Sequence, residues 1–273
     1  MLDKSDKSIH SPYARGRVLT AEGGNIPTGW YVSEEMPVAI LTNGQRFAVM
    51  MATPADLEDF ALGFALSEGL VPSAEVLTDV KIAEAADGWL VNLKADPEIF
   101  TAAEDRRRRI AGRSGCGICG AQSLDAAVRP ARAVTGARPT VAAILRSFDA
   151  LREAQEMKAL NHSVHGAALC NGSGEVRLIR EDIGRHNALD KLIGGALRAG
   201  GPKPGDFVTL SSRVSVEMVQ KAATLGTPLL AAISPPSALA LRLAADAGLA
   251  IAARAKGDVM LFDPAQFGAA DEA

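Results

Sequence analysis

Phe207-Val208-Thr209-Leu210, then Val216 to Leu225, then Pro228-Leu229-Leu230-Ala231-Ala232-Ile233 decide the fold class. A strand, a helix and a second strand joined by short loops form the unit from which parallel sheets are built. The same alternation extends in both directions. Asn187 to Ala199 reads as a helix before it, and Ser237 to Ala247 and Leu249 to Ala253 read as a helix and a strand after it. Upstream again, His165 to Cys170 and Glu175 to Arg180 read as strands joined by Asn171-Gly172-Ser173-Gly174. Thr140 is placed to cap a long helix from Val141 to about Ala159.

The amino-terminal part follows other rules. Val38 to Thr42 and Gln45 to Met51 flank Asn43-Gly44, a two-residue hairpin signal. A second hairpin is expected around Asp87-Gly88, joining Val80-Lys81-Ile82 to Trp89-Leu90-Val91. Between them Thr53-Pro54 reads as an N-cap and first helical position, with Leu57, Phe60, Ala61 and Phe64 at helical spacing and Gly69 as the stop. The expected organisation is a loosely ordered stretch at 1–30 and an α+β part at 31–109. A glycine-rich connection at 110–139, an α/β domain at 140–265 and a tail at 266–273 complete it.

Bulk properties narrow the function classes. A chain of 273 residues suits one large or two modest domains. Its 29 basic and 32 acidic residues leave a net charge of −3, so no global field for nucleic acid is expected. Neither a secretory h-region nor a run long enough to span a bilayer is visible, which makes a cytoplasmic location the default expectation. Arg106-Arg107-Arg108-Arg109 reads as a solvated helix end or as a dock for an anion or acidic partner.

Three cysteines do not make a disulfide framework in a chain this long. Two of them stand in Gly115-Cys116-Gly117-Ile118-Cys119-Gly120, where glycines leave both sulfurs accessible on a pliable loop. Arg113 and a possible helix after the pair supply ingredients that lower a thiol pKa. Cys170, in an apolar run, reads as a core filler. A Cys-x-x-Cys pair fits a redox dithiol, half a zinc site or a sulfur carrier. The zinc reading would recruit His162 and His165, although their spacing is shorter than the usual one. A zinc deaminase would need His-x-Glu and Pro-Cys-x-x-Cys, and neither is present. The thioredoxin context, a strand leading into the pair, is also missing.

Ligands of open parallel sheets bind beyond the carboxyl ends of the strands. The three expected strands run out into Ser211-Ser212-Arg213, Ser234-Pro235-Pro236-Ser237 and Arg254-Ala255-Lys256. Taken singly these are capping serines and exposed cations. Recurring after three strands, they point to a phosphorylated ligand, a nucleotide or dinucleotide. No Gly-x-Gly-x-x-Gly or Walker lysine motif accompanies them. Glu181-Asp182-Ile183-Gly184-Arg185-His186-Asn187, followed by Asp190 and Lys191, reads either as capping and ion pairing or as a contact role for Asp182, Arg185 and His186.

Four stretches together resemble the FdhD family, sulfurtransferases accessory to formate dehydrogenase. They are Thr53 to Leu57, Ser114 to Gly120, Glu181 to Lys191 and Ser211 to Lys221, within residues 35–262. The resemblance implies an α/β fold whose carboxy-terminal domain is like cytidine deaminase without its zinc. That sheet would be mixed or mostly parallel, with helices on both faces, beside a smaller α+β part. It implies Cys116 as the persulfide carrier, Cys119 as the second cysteine, and no metal ion of the protein's own. Sulfur would come from a cysteine desulfurase and pass to the molybdenum bis-guanine-dinucleotide cofactor destined for formate dehydrogenase. Base rates and the resemblance also point to a homodimer. Cofactor contacts are expected at Ser211, Arg213 and the segment Ala252, Ala253, Arg254, Ala255, Lys256 and Gly257, where many relatives carry an aromatic residue and a second arginine. A structural zinc protein and a non-catalytic cofactor chaperone are the alternatives.

Overall fold

The computed structural model describes residues 2–3, 10–101 and 129–267. Its carboxy-terminal part holds α2 (Val141–Ala154), α3 (Glu156–Asn161), β8 (His165–Cys170), β9 (Val176–Asp182) and α4 (Arg185–Arg198). Next come β10 (Phe207–Leu210), α5 (Val216–Leu225), β11 (Leu229–Ala232), α6 (Ala238–Asp246), β12 (Ala250–Ala255), β13 (Asp258–Phe262) and α7 (Pro264–Phe267). The strands make one mixed sheet in the order β13-β12-β11-β10-β8-β9. β10, β11 and β12 are parallel, while β8, β9 and β13 run antiparallel to their neighbours. The expected parallel centre is therefore present, with antiparallel strands added on both sides.

Both faces of this sheet are covered, which is why its strands read as unbroken apolar runs. Alternate residues Leu169, Val208, Leu210, Leu230 and Ile251 join one core with α4, α5 and α6. Their neighbours Cys170, Phe207, Leu229 and Ala252 join a second core under Ile144, Phe148 and Leu151 of α2. The helix expected to run to Ala159 breaks at Gln155, which leaves helical geometry with φ −80 and ψ 82. A buried carboxylate explains the break. Glu181 accepts from Met157 N at 2.8 Å and Lys158 N at 3.0 Å, so it starts a new helix where the old one would have continued.

The amino-terminal part has β4 (Met36–Thr42), β5 (Gln45–Ala52), α1 (Leu57–Ser67), β6 (Asp79–Ala85) and β7 (Gly88–Lys94). Its sheet order is β5-β4-β7-β6, with α1 packed over one face on Val38, Ile40, Val91 and Leu93. Both expected hairpins are there. Ahead of them a correction is needed. The stretch expected to be loosely ordered carries β2 (Tyr13–Leu19) and β3 (Asn25–Tyr31), an antiparallel hairpin joined to the short β1 (Leu2–Asp3). Gly23-Gly24 closes its loop, where the Thr20 hydroxyl accepts from Gly24 N at 3.0 Å, and the rings of Tyr13 and Tyr31 meet edge-on at 5.3 Å.

α1 and α4 join the two parts at very short range. A Cβ on Gly63 would sit 1.7 Å from the Asp190 carbonyl oxygen, and one on Gly194 would sit 1.9 Å from that of Asp59. Each helix thus needs a bare backbone where the other crosses it. Asp59 adds charge to the contact, accepting from Arg180 Nη2 at 2.6 Å and Arg198 Nη1 at 2.8 Å. No described helix is long and apolar enough to cross a membrane.

Candidate functional site

The carboxyl ends of β10, β11 and β12 lie on one edge, together with the start of β8 and the end of β9. A bridge between Val214 and Pro236, and a bond from Ser237 N to Val214 O at 3.0 Å, knit the segments that follow β10 and β11. The expected grouping of strand-end residues is therefore real, but its members do different things. The Ser211 hydroxyl accepts from Gly166 N at 2.8 Å and continues the β8–β10 ladder. Ser237 is an N-cap, its hydroxyl accepting from Ala240 N at 3.2 Å. Arg213 is exposed, and its guanidinium has no ion pair or hydrogen bond among the described residues.

The segment at the end of β12 divides in two. Ala252 and Ala253 are interior strand residues, buried at 0% and 3%, so their side chains have no surface to offer a ligand. That part of the expected contact set is corrected. Arg254 is partly exposed and held, 3.3 Å from Asp149 and 5.7 Å from the centre of the Phe148 ring. Lys256 and Gly257 form the exposed turn into β13, with Lys256 in the left-handed region at φ 55. From this segment, Arg254, Ala255, Lys256 and Gly257 remain open to solvent.

The Glu181-to-Lys191 stretch resolves into two roles. Asp182 and Lys191 form an ion pair at 2.7 Å with both side chains at 0% exposure. Lys191 also donates to Thr53 O at 2.9 Å, while Thr53 N donates to Asp182 at 3.0 Å and the Thr53 hydroxyl accepts from Ile183 N at 3.1 Å. Thr53 is therefore no cap for α1, whose N-cap is Asp56 without a side-chain hydrogen bond. It is the rivet between the two parts of the chain. A parallel arrangement surrounds Lys221, which reaches Asp190 and Ser67 at 2.9 Å and Glu68 at 2.8 Å. Against the pull of burial, Asp190 and Glu68 hold its ammonium above the ordinary value. Burial would raise Glu68, yet Lys221 and then Arg129 bring its carboxyl down to about 2.

Arg185 and His186, both partly exposed, are the first residues of α4, which starts where β9 ends. His186 Nε2 lies 3.4 Å from Glu217, and that imidazole holds the Glu217 carboxyl below its ordinary range, helped by Ser215 and Arg185. His165, opposite Asp182 in the β8–β9 ladder, is lowered by burial and then by Lys158, Arg185 and His186. Glu217 was not legible as a site residue, because Ser215-Val216-Glu217 at a helix start reads as a cap. His162, the other histidine of the zinc alternative, is an exposed helix terminus at φ 58. Among the described residues no group of three or more His, Cys, Asp or Glu side chains is placed to hold a metal ion.

Cys116, Cys119 and the arginine run at 106–109 lie outside the described residues. Cys170 lies within them. It is buried against Thr209 at 3.6 Å, and burial pushes its thiol up to about 11. Such a thiol is protonated at neutral pH and inert as a nucleophile.

Fold and site together define a mixed α/β protein with a cationic, hydroxyl-bearing strand edge, and its sequence carries a Cys-x-x-Cys pair. Residues 33–262 match the family model FdhD-NarQ, the FdhD/NarQ family. The sulfur carrier protein FdhD of Xanthomonas euvesicatoria pv. vesicatoria is 47% identical over 253 residues, 92% of this chain and 90% of that protein. The protein of the same name from Cupriavidus necator is 46% identical over 222 residues, 81% and 77% of the two chains. A crystal structure of a candidate formate dehydrogenase accessory protein from Desulfotalea psychrophila superposes with a TM-score of 0.70 at 25% identity, covering 93% of this chain and 97% of the other. The chain belongs to the FdhD/NarQ family.

Proposed function

We propose that the chain is a sulfurtransferase that carries sulfur on Cys116, from a cysteine desulfurase to the molybdenum bis-guanine-dinucleotide cofactor of formate dehydrogenase. The observation that carries this reading is the burial of Cys170, which has no solvent-exposed surface. Of three cysteines in the sequence, it leaves only the glycine-flanked pair Cys116 and Cys119 for thiolate chemistry. Relatives named sulfur carriers across nine-tenths of the chain support the same assignment.

The chemistry balances with a donor persulfide, the two thiols and a small-molecule thiol reductant. The Cys116 thiolate attacks the terminal sulfur of a donor persulfide; the donor S–S bond breaks, Cys116–S–SH forms and the donor leaves as thiolate. Cys119 thiolate then attacks the Cys116 sulfur. The Cys116–Cys119 disulfide forms and hydrosulfide leaves toward the cofactor, its two electrons supplied by the two thiolates. A small-molecule thiol reductant returns the pair to the dithiol. Arg213, Arg254, Lys256 and Ser211 are the groups on the strand edge with chemistry suited to guanine-dinucleotide phosphates.

Mass spectrometry after incubation with a cysteine desulfurase and cysteine tests the carrier step. The expected result is the mass of one extra sulfur on Cys116, lost in Cys116→Ala. Sulfur mapping only to Cys170, or none at all, would refute it.

A further inference from the structure

The β5-β4-β7-β6 sheet is apolar on both faces, and α1 covers only one of them. Side chains alternate across a strand, so the residues between Val38, Ile40, Val91 and Leu93 point the other way. Register sets Val49, Ala39, Leu90 and Ala83 in one row across the four strands, with Met51 and Pro37 beside it. None of the six is polar, yet Val49 is 52%, Met51 47% and Leu90 38% exposed. A sheet face that meets water ordinarily alternates to polar residues. Here it does not, and nothing among the described residues covers it.

A second bare face belongs to the β2–β3 hairpin. One side of the hairpin is filled from within, where the rings of Tyr13 and Tyr31 meet and Arg17 donates to Asn25. The other side carries Ala14, Gly16, Val18, Ile26, Thr28 and Trp30 in register, without a charge, and Trp30 is 72% and Ile26 56% exposed. A two-stranded hairpin is at best marginally stable in water by itself. Its base is pinned at the end of α3, where Asn161 donates to Ser11 at 2.9 Å and the Ser33 and Ser163 hydroxyls lie 2.6 Å apart. Residues 13–31 also precede the span 33–262 that matches the family model. The chain thus presents two apolar faces that it does not bring together.

We propose that these faces meet between two copies of this chain, the hairpin of each lying on the β5-β4-β7-β6 sheet of the other. The sizes match. A seven-residue strand is about 23 Å long and strands lie ~4.8 Å apart, so the hairpin covers about half the width of the four-stranded face. Each seat has a footprint of roughly 230 Å². Two reciprocal seats, counted on both copies, remove about 1,000 Å² of surface, near the lower end for a specific interface. Charge fits as well: beside the apolar rows runs a row with Arg46 and Lys81, and the hairpin loop carries Glu22. A two-fold exchange buries both faces on each copy and leaves neither open for further association. Nothing in this inference depends on sulfur transfer.

Sedimentation equilibrium of the full chain tests the contact, and the expected mass is twice that of the 28.4 kDa chain. Trp30→Ala and Leu90→Glu alter one face each. Both are expected to raise the dissociation constant about thirtyfold or more, with circular dichroism unchanged. Should Leu90→Glu fail to fold, Val49→Lys, on the more exposed edge strand, replaces it with the same expectation. A photoreactive benzoylphenylalanine at position 30, in a mixture of light- and heavy-isotope chains, is expected to crosslink to β5 or β7 of the other copy. A monomeric wild-type chain overturns the proposal, because the faces then meet a different protein or another part of the same chain. A dimer of unchanged affinity in Leu90→Glu overturns it too, as do crosslinks confined to one chain or to the other copy's hairpin.

Discussion

Replacing Lys191 with Met tests how the two parts of the chain are joined. The substitution keeps length and apolar stem but removes the ammonium from an environment with no solvent exposure. Asp182 loses its 2.7 Å partner and the Thr53 carbonyl loses its 2.9 Å donor. Removing one member of a buried pair costs about 3–5 kcal/mol. Asp182 keeps Thr53 N at 3.0 Å, Gly184 N at 2.7 Å and Asn187 Nδ2 at 3.1 Å, which puts its share near the lower end, about 3 kcal/mol. The orphaned carbonyl adds about 1 kcal/mol. Urea unfolding followed by circular dichroism and tryptophan fluorescence should therefore show a loss of about 3–4 kcal/mol. The double variant Asp182→Asn with Lys191→Met should recover about 2 kcal/mol of it, because no bare charge remains. A single-variant loss below about 1 kcal/mol, or a double variant as unstable as the sum of the singles, would refute the buried pair as the tie between the two sheets.

Two other expectations concern the same interface. Glu68, whose carboxyl sits at about 2 rather than 4.5, contributes stability that is fully present above its ordinary value and is lost as pH falls toward 2. That depression is worth at most about 3 kcal/mol, less whatever water screens from a side chain 30% exposed. In Glu68→Gln the acid limb of the stability profile between those values should flatten; an unchanged limb would place the acid sensitivity elsewhere. Gly63→Ala forces a methyl into the Asp190 carbonyl across the α1–α4 contact and should cost about 2 kcal/mol or more by thermal unfolding. A neutral result there would mean that the helices part without penalty.

Much of the fold was legible because it follows from short-range rules. Asn43-Gly44 and Asp87-Gly88 turn strands whatever lies around them, and Thr140 caps α2 through its own hydroxyl at 3.2 Å. Errors arose where a residue's partner is distant in sequence. Thr53 has the chemistry of a cap, but Asp182, Ile183 and Lys191 claim its polar groups. Val141 to Ala159 has the periodicity of one helix, but the Glu181 carboxylate divides it at Gln155. The hairpin at residues 13–31 carried its own signal, Gly23-Gly24 between aromatic and β-branched runs, beneath a composition that suggested disorder.

The candidate site divides along the same line. From sequence alone came the cysteine pair, the strand-end hydroxyls and cations, and the parallel centre of the sheet, since spacing and side-chain chemistry are local properties. Tertiary structure alone decided which of those groups are free. It retired Cys170 by burial, put Ala252 and Ala253 in a core, tied Arg254 to Asp149, and spent Asp182 on Lys191. It left Arg185 Nε and His165 Nδ1 without a hydrogen bond and set His186 beside Glu217. The reason is physical: whether a polar group is available depends on which distant groups the packed chain brings within three ångströms, and on how much water that packing excludes.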